Sequence, residues 1–230
     1  MNQQFDRIVS LINQDNFNLI QSKRILVVGL GGVGGYAVES LVRSGINKIV
    51  ICDNDVVDMS NINRQIITNV NVVGKKKTTL FKERILAINP ECEVDCIDSF
   101  IKDDNFKILF EKKIDYVVDC IDTMSSKVAL WQYCQENNIK LISSLGTAKR
   151  IDPTKLTITT LDKTQNDPMA RALRNIARKR KVSLDVNVVF SNETPINNDE
   201  KLGSMIFVVA TAGLMCGYYV ISDIIQKGNR

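Results

Sequence analysis

The residues best suited to chemistry stand in the first third of the chain. Gly29-Leu30-Gly31-Gly32-Val33-Gly34 follows a short apolar run and opens an amphipathic one. In that setting Gly31 permits a tight turn, and Gly32 and Gly34 permit close backbone approach. The N-terminus of the following helix then offers free N–H groups to a phosphate. Asp53 ends the next apolar run, where an acid takes ribose hydroxyls, and Asp55 belongs to the same nucleotide-binding set. The spacing points to a bound nucleotide and does not separate ATP from NAD.

Three further motifs carry charge. Asn61-Ile62-Asn63-Arg64-Gln65 lies in a polar loop, where Arg64 is either a phosphate ligand or a solvated residue. Gly74-Lys75-Lys76-Lys77 puts a lysine run at a helix start, against the helix dipole, an arrangement suited to meeting phosphates. Asp119-Cys120-Ile121-Asp122 leaves a strand, and ligands bind such sheets beyond the carboxyl ends of strands. A carboxylate there, Asp119 or Asp122, suits Mg²⁺; the alternative role of Asp122 is a helix N-cap.

The composition narrows the chemistry. There is no histidine, which excludes histidine bases, triads and metal sites. Cys52, Cys92, Cys96, Cys120, Cys134 and Cys216 form no C-x-x-C pair, which argues against structural zinc and for reduced core residues. With no signal peptide in view, this usage predicts a cytoplasmic protein. A net charge of +4 does not by itself imply a nucleic-acid partner. The basic stretch Arg171, Arg174, Arg178, Lys179, Arg180, Lys181 does offer a phosphate-binding surface, or else a solvated helix face.

Elements to position these residues follow from periodicity and breakers. Helices are predicted over 5–20, 32–43, 75–88, 125–137 and 171–181. Strands are predicted over 24–29, 48–52, 93–97, 116–119, 141–144, 156–161 and 186–190. Residues 55–73 and 194–203 read as polar loops. The uncharged run 205–222 borders the length of a membrane span but reads as a buried core or dimer helix. Alternating strands and helices predict an α/β, doubly wound, mostly parallel sheet over 1–150, with a substrate-binding and dimer elaboration over 151–230 of one domain.

The joint pattern GLGGVG, Asp53, NINRQ, GKKK and DCID resembles the activating-enzyme superfamily of ThiF, MoeB and HesA over residues 5–150. The resemblance implies a Rossmann-like fold and ATP as substrate. It places Asp53 on the ribose, Asn61 and Arg64 on the phosphates, Lys77 on the α/γ region and Asp122 on Mg²⁺. Arg7, in Gln4-Phe5-Asp6-Arg7, matches the arginine that reaches the ATP of the partner subunit in a homodimer. The family usually carries arginine where this chain has Gln4. A monovalent cation, and cysteine-desulfurase or sulfur-acceptor partners, are further expectations of the resemblance.

In the second half, Ile151-Asp152-Pro153-Thr154, Leu161-Asp162-Lys163-Thr164 and Asp167-Pro168, with the Asn89-Pro90-Glu91-Cys92 turn, resemble the tRNA threonylcarbamoyladenosine dehydratase family. That family activates the threonylcarbamoyl carboxylate on the adenosine 3′ of the anticodon with ATP and closes it into a ring, losing water. The basic stretch is then the tRNA contact. The missing zinc cysteine pairs depart from ThiF and MoeB and favour this reading over adenylation of a ubiquitin-like sulfur carrier. An NAD-dependent oxidoreductase would have no use for Arg64 with Lys77.

Overall fold

The computed structural model describes residues 3–196 and 203–228. Seven strands form one sheet: β1 (Arg24–Val28), β2 (Lys48–Cys52), β3 (Glu93–Ile97), β4 (Tyr116–Asp119), β5 (Lys140–Ser144), β6 (Leu156–Thr160) and β7 (Asn187–Ser191). Their spatial order is β3-β2-β1-β4-β5-β7-β6, parallel throughout except for β6, which runs antiparallel to β7. The expected doubly wound sheet is present, and the strands after residue 151 extend it. The order reverses between β1 and β4, whose ends lie level, with Val28 beside Asp119.

Residues 5–20 do not make one helix. They form α1 (Asp6–Ile12) and α2 (Gln14–Ser22), separated by Asn13 at φ 65°. A helix cannot pass through that conformation. The Asn13 side chain instead caps α2 by accepting the Asn16 N–H at 3.0 Å. The remaining helices are α3 (Gly32–Arg43), α4 (Lys77–Ile88), α5 (Met124–Glu136), α6 (Pro168–Lys179) and α7 (Ile206–Gly228). The sixth starts three residues before its expected beginning. Asp167 caps it by accepting the Ala170 N–H at 2.9 Å, and Pro168 occupies its first turn. The polar loop expected over 194–203 lies in part, at 197–202, outside the described residues.

Both faces of the central strands are buried, so they read as continuous apolar runs rather than alternations. On one face Ile25, Val27, Ile49 and Val118 meet α3 and α7; on the other Leu26, Val28, Val50 and Val117 meet Leu109, Leu130 and Cys134. The run expected over 205–222 is α7, which continues to Gly228. It is long and apolar enough to cross a membrane by length and composition alone. Its inner face, Val208, Ala212, Cys216 and Val220, is fully buried in the core. Gly213 and Gly217 let it lie directly on α3: a Cβ on either would collide with Val33 or Ser40. Phe207, Leu214 and Tyr218 remain exposed on its outer face.

Candidate functional site

A cleft of about 400 Å³ opens at the carboxyl ends of the strands, over the point where the sheet order reverses. Gly29 turns the chain at φ 88° and packs so tightly on the β4 loop that a Cβ would sit 2.6 Å from the Cys120 carbonyl oxygen. Gly34 abuts the Gly29 carbonyl, with no space for a side chain. The turn expected of Gly31 is therefore made by Gly29. Gly31 caps α3 at φ -80°, and a Cβ there would meet nothing closer than Gln65 Nε2 at 3.9 Å. Its bare backbone faces the cleft, beside the first-turn N–H groups of α3, which have no acceptor within the helix. Gly32 is held differently: a Cβ there would sit 3.1 Å from Val209 of α7.

The charged candidates converge here. Asp53, Asp55, Asn61, Arg64, Lys77 and Asp122 all line the cleft. Asp53 braces the glycine turn: it accepts the Leu30 N–H at 2.6 Å and the Asp55 N–H at 2.7 Å. Lys77, at the first position of α4, points its Nζ to Asp55 at 2.8 Å. Arg64 donates to the Ser60 carbonyl at 2.6 Å and to Asn63 at 2.8 Å. The Asn61 side chain accepts the Asp58 N–H, closing a capping box around a short 3-10 turn. Asp122 is exposed, accepts among the described residues only a long 3.3 Å bond from Thr123, and is no N-cap; Thr123 holds that position.

Other candidates are placed elsewhere. Asp119, expected among the ligand-facing carboxylates, is wholly buried and paired with Lys127. Arg7 is exposed on α1 and does not line the cleft. Gln4, just before it, bonds the Ile88 carbonyl at the far end of α4. The length of α4, about 16 Å along its axis, therefore separates Ile88 from Lys77.

The basic stretch splits. Arg171, Arg178, Lys179 and Lys181 are exposed. Arg174 turns inward to Thr164 and to the Leu161 carbonyl at 3.2 Å, and Arg180 pairs with Asp103. Lys75 and Lys76 are exposed, the latter paired with Asp98.

The cleft is also lined by residues to which the sequence motifs assign no role: Gln65, Ser99, Phe100, Thr147, Ser204 and Val209. Gln65 is buried, and its Oε1 has no hydrogen-bond partner among the described residues. It stands inside the NINRQ motif. Ser99, Phe100 and Thr147 lie on the loops following β3 and β5, where the carboxyl-end rule points; Ser204 and Val209 have no local signal.

The cysteines bear on mechanism by their burial. It pushes the Cys52 and Cys92 thiols up to about 12 and raises Cys134 further, suppressing the nucleophilic thiolate. Cys216 is also raised, first by its contact with Cys120 and then by burial.

A parallel sheet that reverses order beneath a glycine-bounded helix N-terminus defines a doubly wound nucleotide-binding protein. The chain belongs to the ThiF family, whose model matches residues 4–227. It is 36% identical over 241 residues to a tRNA threonylcarbamoyladenosine dehydratase of Bacillus subtilis, covering 97% of this chain and 95% of that one. It is 34% identical to the dehydratase of the same name from Haemophilus influenzae, covering 98% and 94%. The crystal structure of the Escherichia coli enzyme, TcdA, in complex with AMP superposes with a TM-score of 0.94 at 36% identity, covering 99% and 96%. MccB from Escherichia coli, at 18% identity and a TM-score of 0.69, shares the fold.

Proposed function

We propose that this protein adenylates the carboxylate of threonylcarbamoyladenosine in tRNA with ATP and thereby drives its dehydration to a cyclic form. One observation carries the reading: the cleft brings a helix N-terminus, two cations and an exposed carboxylate together at the switch point. Similarity along nearly the whole chain, at 36% identity, to dehydratases of that name, one of them crystallised with AMP and with ATP, supports the choice of substrate.

The residues fit a nucleoside triphosphate. Gly31 leaves space that the fold itself does not need, and the unpartnered Gln65 Oε1 is a polar atom awaiting a ligand or water. Asp53 keeps further lone pairs for ribose hydroxyls while bracing the turn. Three carboxylates face the cleft against two cations, an excess that repels a polyphosphate unless a divalent cation joins it. Asp122 is the carboxylate with most freedom to hold Mg²⁺. Among the described residues no cluster of three candidate ligands exists, so phosphate oxygens and water would complete the shell.

The substrate carboxylate is ionised at neutral pH and needs no histidine base. It attacks the α-phosphorus of ATP and pyrophosphate leaves. Arg64 and Lys77 stabilise the charge that builds on the phosphates. A nitrogen of the same side chain then attacks the activated acyl carbon, AMP leaves, and the net loss is one water. Proximity within one side chain supplies much of that barrier reduction, so no cysteine nucleophile is required. The four exposed cations around α6 engage tRNA phosphates. Arg7 does not line its own cleft; it acts on the nucleotide of a second copy, and the exposed apolar face of α7 is suited to dimer contact.

The test is AMP release from ATP and Mg²⁺, with and without tRNA bearing threonylcarbamoyladenosine, with mass analysis of the nucleoside. Release coupled to loss of one water is expected. Release only with a ubiquitin-like protein would transfer the reading to a sulfur-carrier activator; no turnover with either would leave a nucleotide-binding fold.

A further inference from the structure

Beneath the cleft lies a sealed polar cluster. Asp119 Oδ2 accepts from Lys127 Nζ at 2.8 Å, Trp131 Nε1 at 2.7 Å and Ser143 Oγ at 2.8 Å. Its Oδ1 accepts the Ile121 N–H at 3.0 Å. Lys127 uses all three ammonium donors, adding Ser143 Oγ at 3.0 Å and the Asp119 carbonyl at 3.5 Å. Both charged side chains are 0% exposed. Such a pair rarely stabilises a fold more than apolar residues of the same volume would. Its position points to a different role. Asp119 ends β4 and Lys127 lies in the first turn of α5, so the pair clamps both ends of the short loop 120–123. Within that loop Ile121 is bonded directly to the clamp, and Asp122 follows it into the cleft.

We infer that Lys127, through Asp119, is a positioning residue that aims the Asp122 carboxylate at the metal accompanying the nucleotide. The inference rests on the assignment of Asp122 to that metal under the proposed function. Lys127 touches no substrate; it acts as an outer partner of a metal ligand, through the backbone rather than through a hydrogen bond to the ligand itself. Loss of such partners typically weakens metal affinity about 10-fold to 100-fold.

The test uses the Asp119→Asn/Lys127→Met double variant, which removes both charges at similar volume; its single amide oxygen accepts from Ile121 or from Trp131 but not from both, since these bond different carboxylate oxygens. Lys127→Met alone strands a buried carboxylate, so a failure of that variant to fold says nothing about positioning. Calorimetry measures binding of a non-hydrolysable ATP analogue with and without Mg²⁺, and hydrogen exchange follows the amides of 121–123. The folded double variant is expected to bind the analogue alone as the parent does, to lose about 10-fold or more of the Mg²⁺-dependent gain, and to exchange faster at 121–123. An unchanged Mg²⁺ gain in the folded double variant overturns the inference. Asp122→Asn provides the control: if it too keeps the gain, the metal reading fails, and the exchange rates at 121–123 then decide positioning, unchanged rates overturning it.

Discussion

Two lysine–aspartate pairs in this molecule share one geometry and opposite surroundings. Lys77 meets Asp55 at 2.8 Å, and Lys127 meets Asp119 at 2.8 Å. The Asp55 side chain is 58% exposed on the cleft rim, whereas Asp119 and Lys127 are both 0% exposed. In the first pair Lys77 is itself only 4% exposed, but water reaches the Asp55 carboxylate, which can give way to a phosphate at little cost. The second has no water to fall back on, so its partners are fixed by desolvation. Distance alone therefore says nothing about role; the exposure of the carboxylate does.

The largest expected effect lies in the sealed pair. Lys127→Met should destabilise the fold by about 3–5 kcal/mol, because it leaves a buried charge uncompensated. Urea unfolding measures this, and a midpoint equal to the parent's would abolish the distinction between the two pairs. Lys77→Ala should do the reverse, cutting AMP release about 10²–10³-fold with the unfolding midpoint nearly unchanged. Arg64→Ala should behave alike, and parent-level turnover in either would remove it from the phosphate site.

Next comes the surface of α6. Arg178→Glu should weaken tRNA binding and flatten its salt dependence by about 0.7–0.9 in the log–log slope for each phosphate no longer neutralised. Filter binding across salt concentrations checks this. Binding of the nucleotide should not change. Arg174→Gln should instead lower stability, since its guanidinium is spent on Thr164 and the Leu161 carbonyl.

The smallest effect should be Asp55→Asn, worth about 0–1 kcal/mol of stability, because the Asp55 carboxylate is 58% exposed although Lys77 is only 4% exposed. A loss comparable to that of Lys127→Met would mean that the rim pair is structural after all. Thiols supply a control on burial. Their pKa values are raised in the folded chain, so Cys52 and Cys92 stay protonated at pH 8, and the stability this represents is lost only as pH climbs from 9 towards 12. Mass spectrometry after iodoacetamide treatment of the folded protein should find both unlabelled.

The first five strands, β1 to β5, are legible in the sequence because each is a short run bounded by turn residues or a charged flank. The break at Asn13 is not: apolar periodicity continues across it, and the interruption comes from its backbone conformation. The start of α6 is written in Asp167-Pro168, a capping residue followed by proline, although in the sequence that pair serves first as a mark of family resemblance. Among the basic residues of 171–181, spacing does not separate Arg174 and Arg180 from their exposed neighbours. Their partners, Thr164 and Asp103, lie on other segments.

By itself the sequence determined that a glycine turn meets a helix N-terminus, that an acid follows the second strand, and that no histidine takes part. These depend on local backbone freedom and residue type, which spacing records. Only the tertiary structure decided which aspartate of Asp119-Cys120-Ile121-Asp122 faces the cleft and which is sealed beneath it. Both leave the same strand three residues apart. Their difference is set by Lys127, Trp131 and Ser143 closing over one of them, and burial of that kind is a property of packed neighbours rather than of the chain.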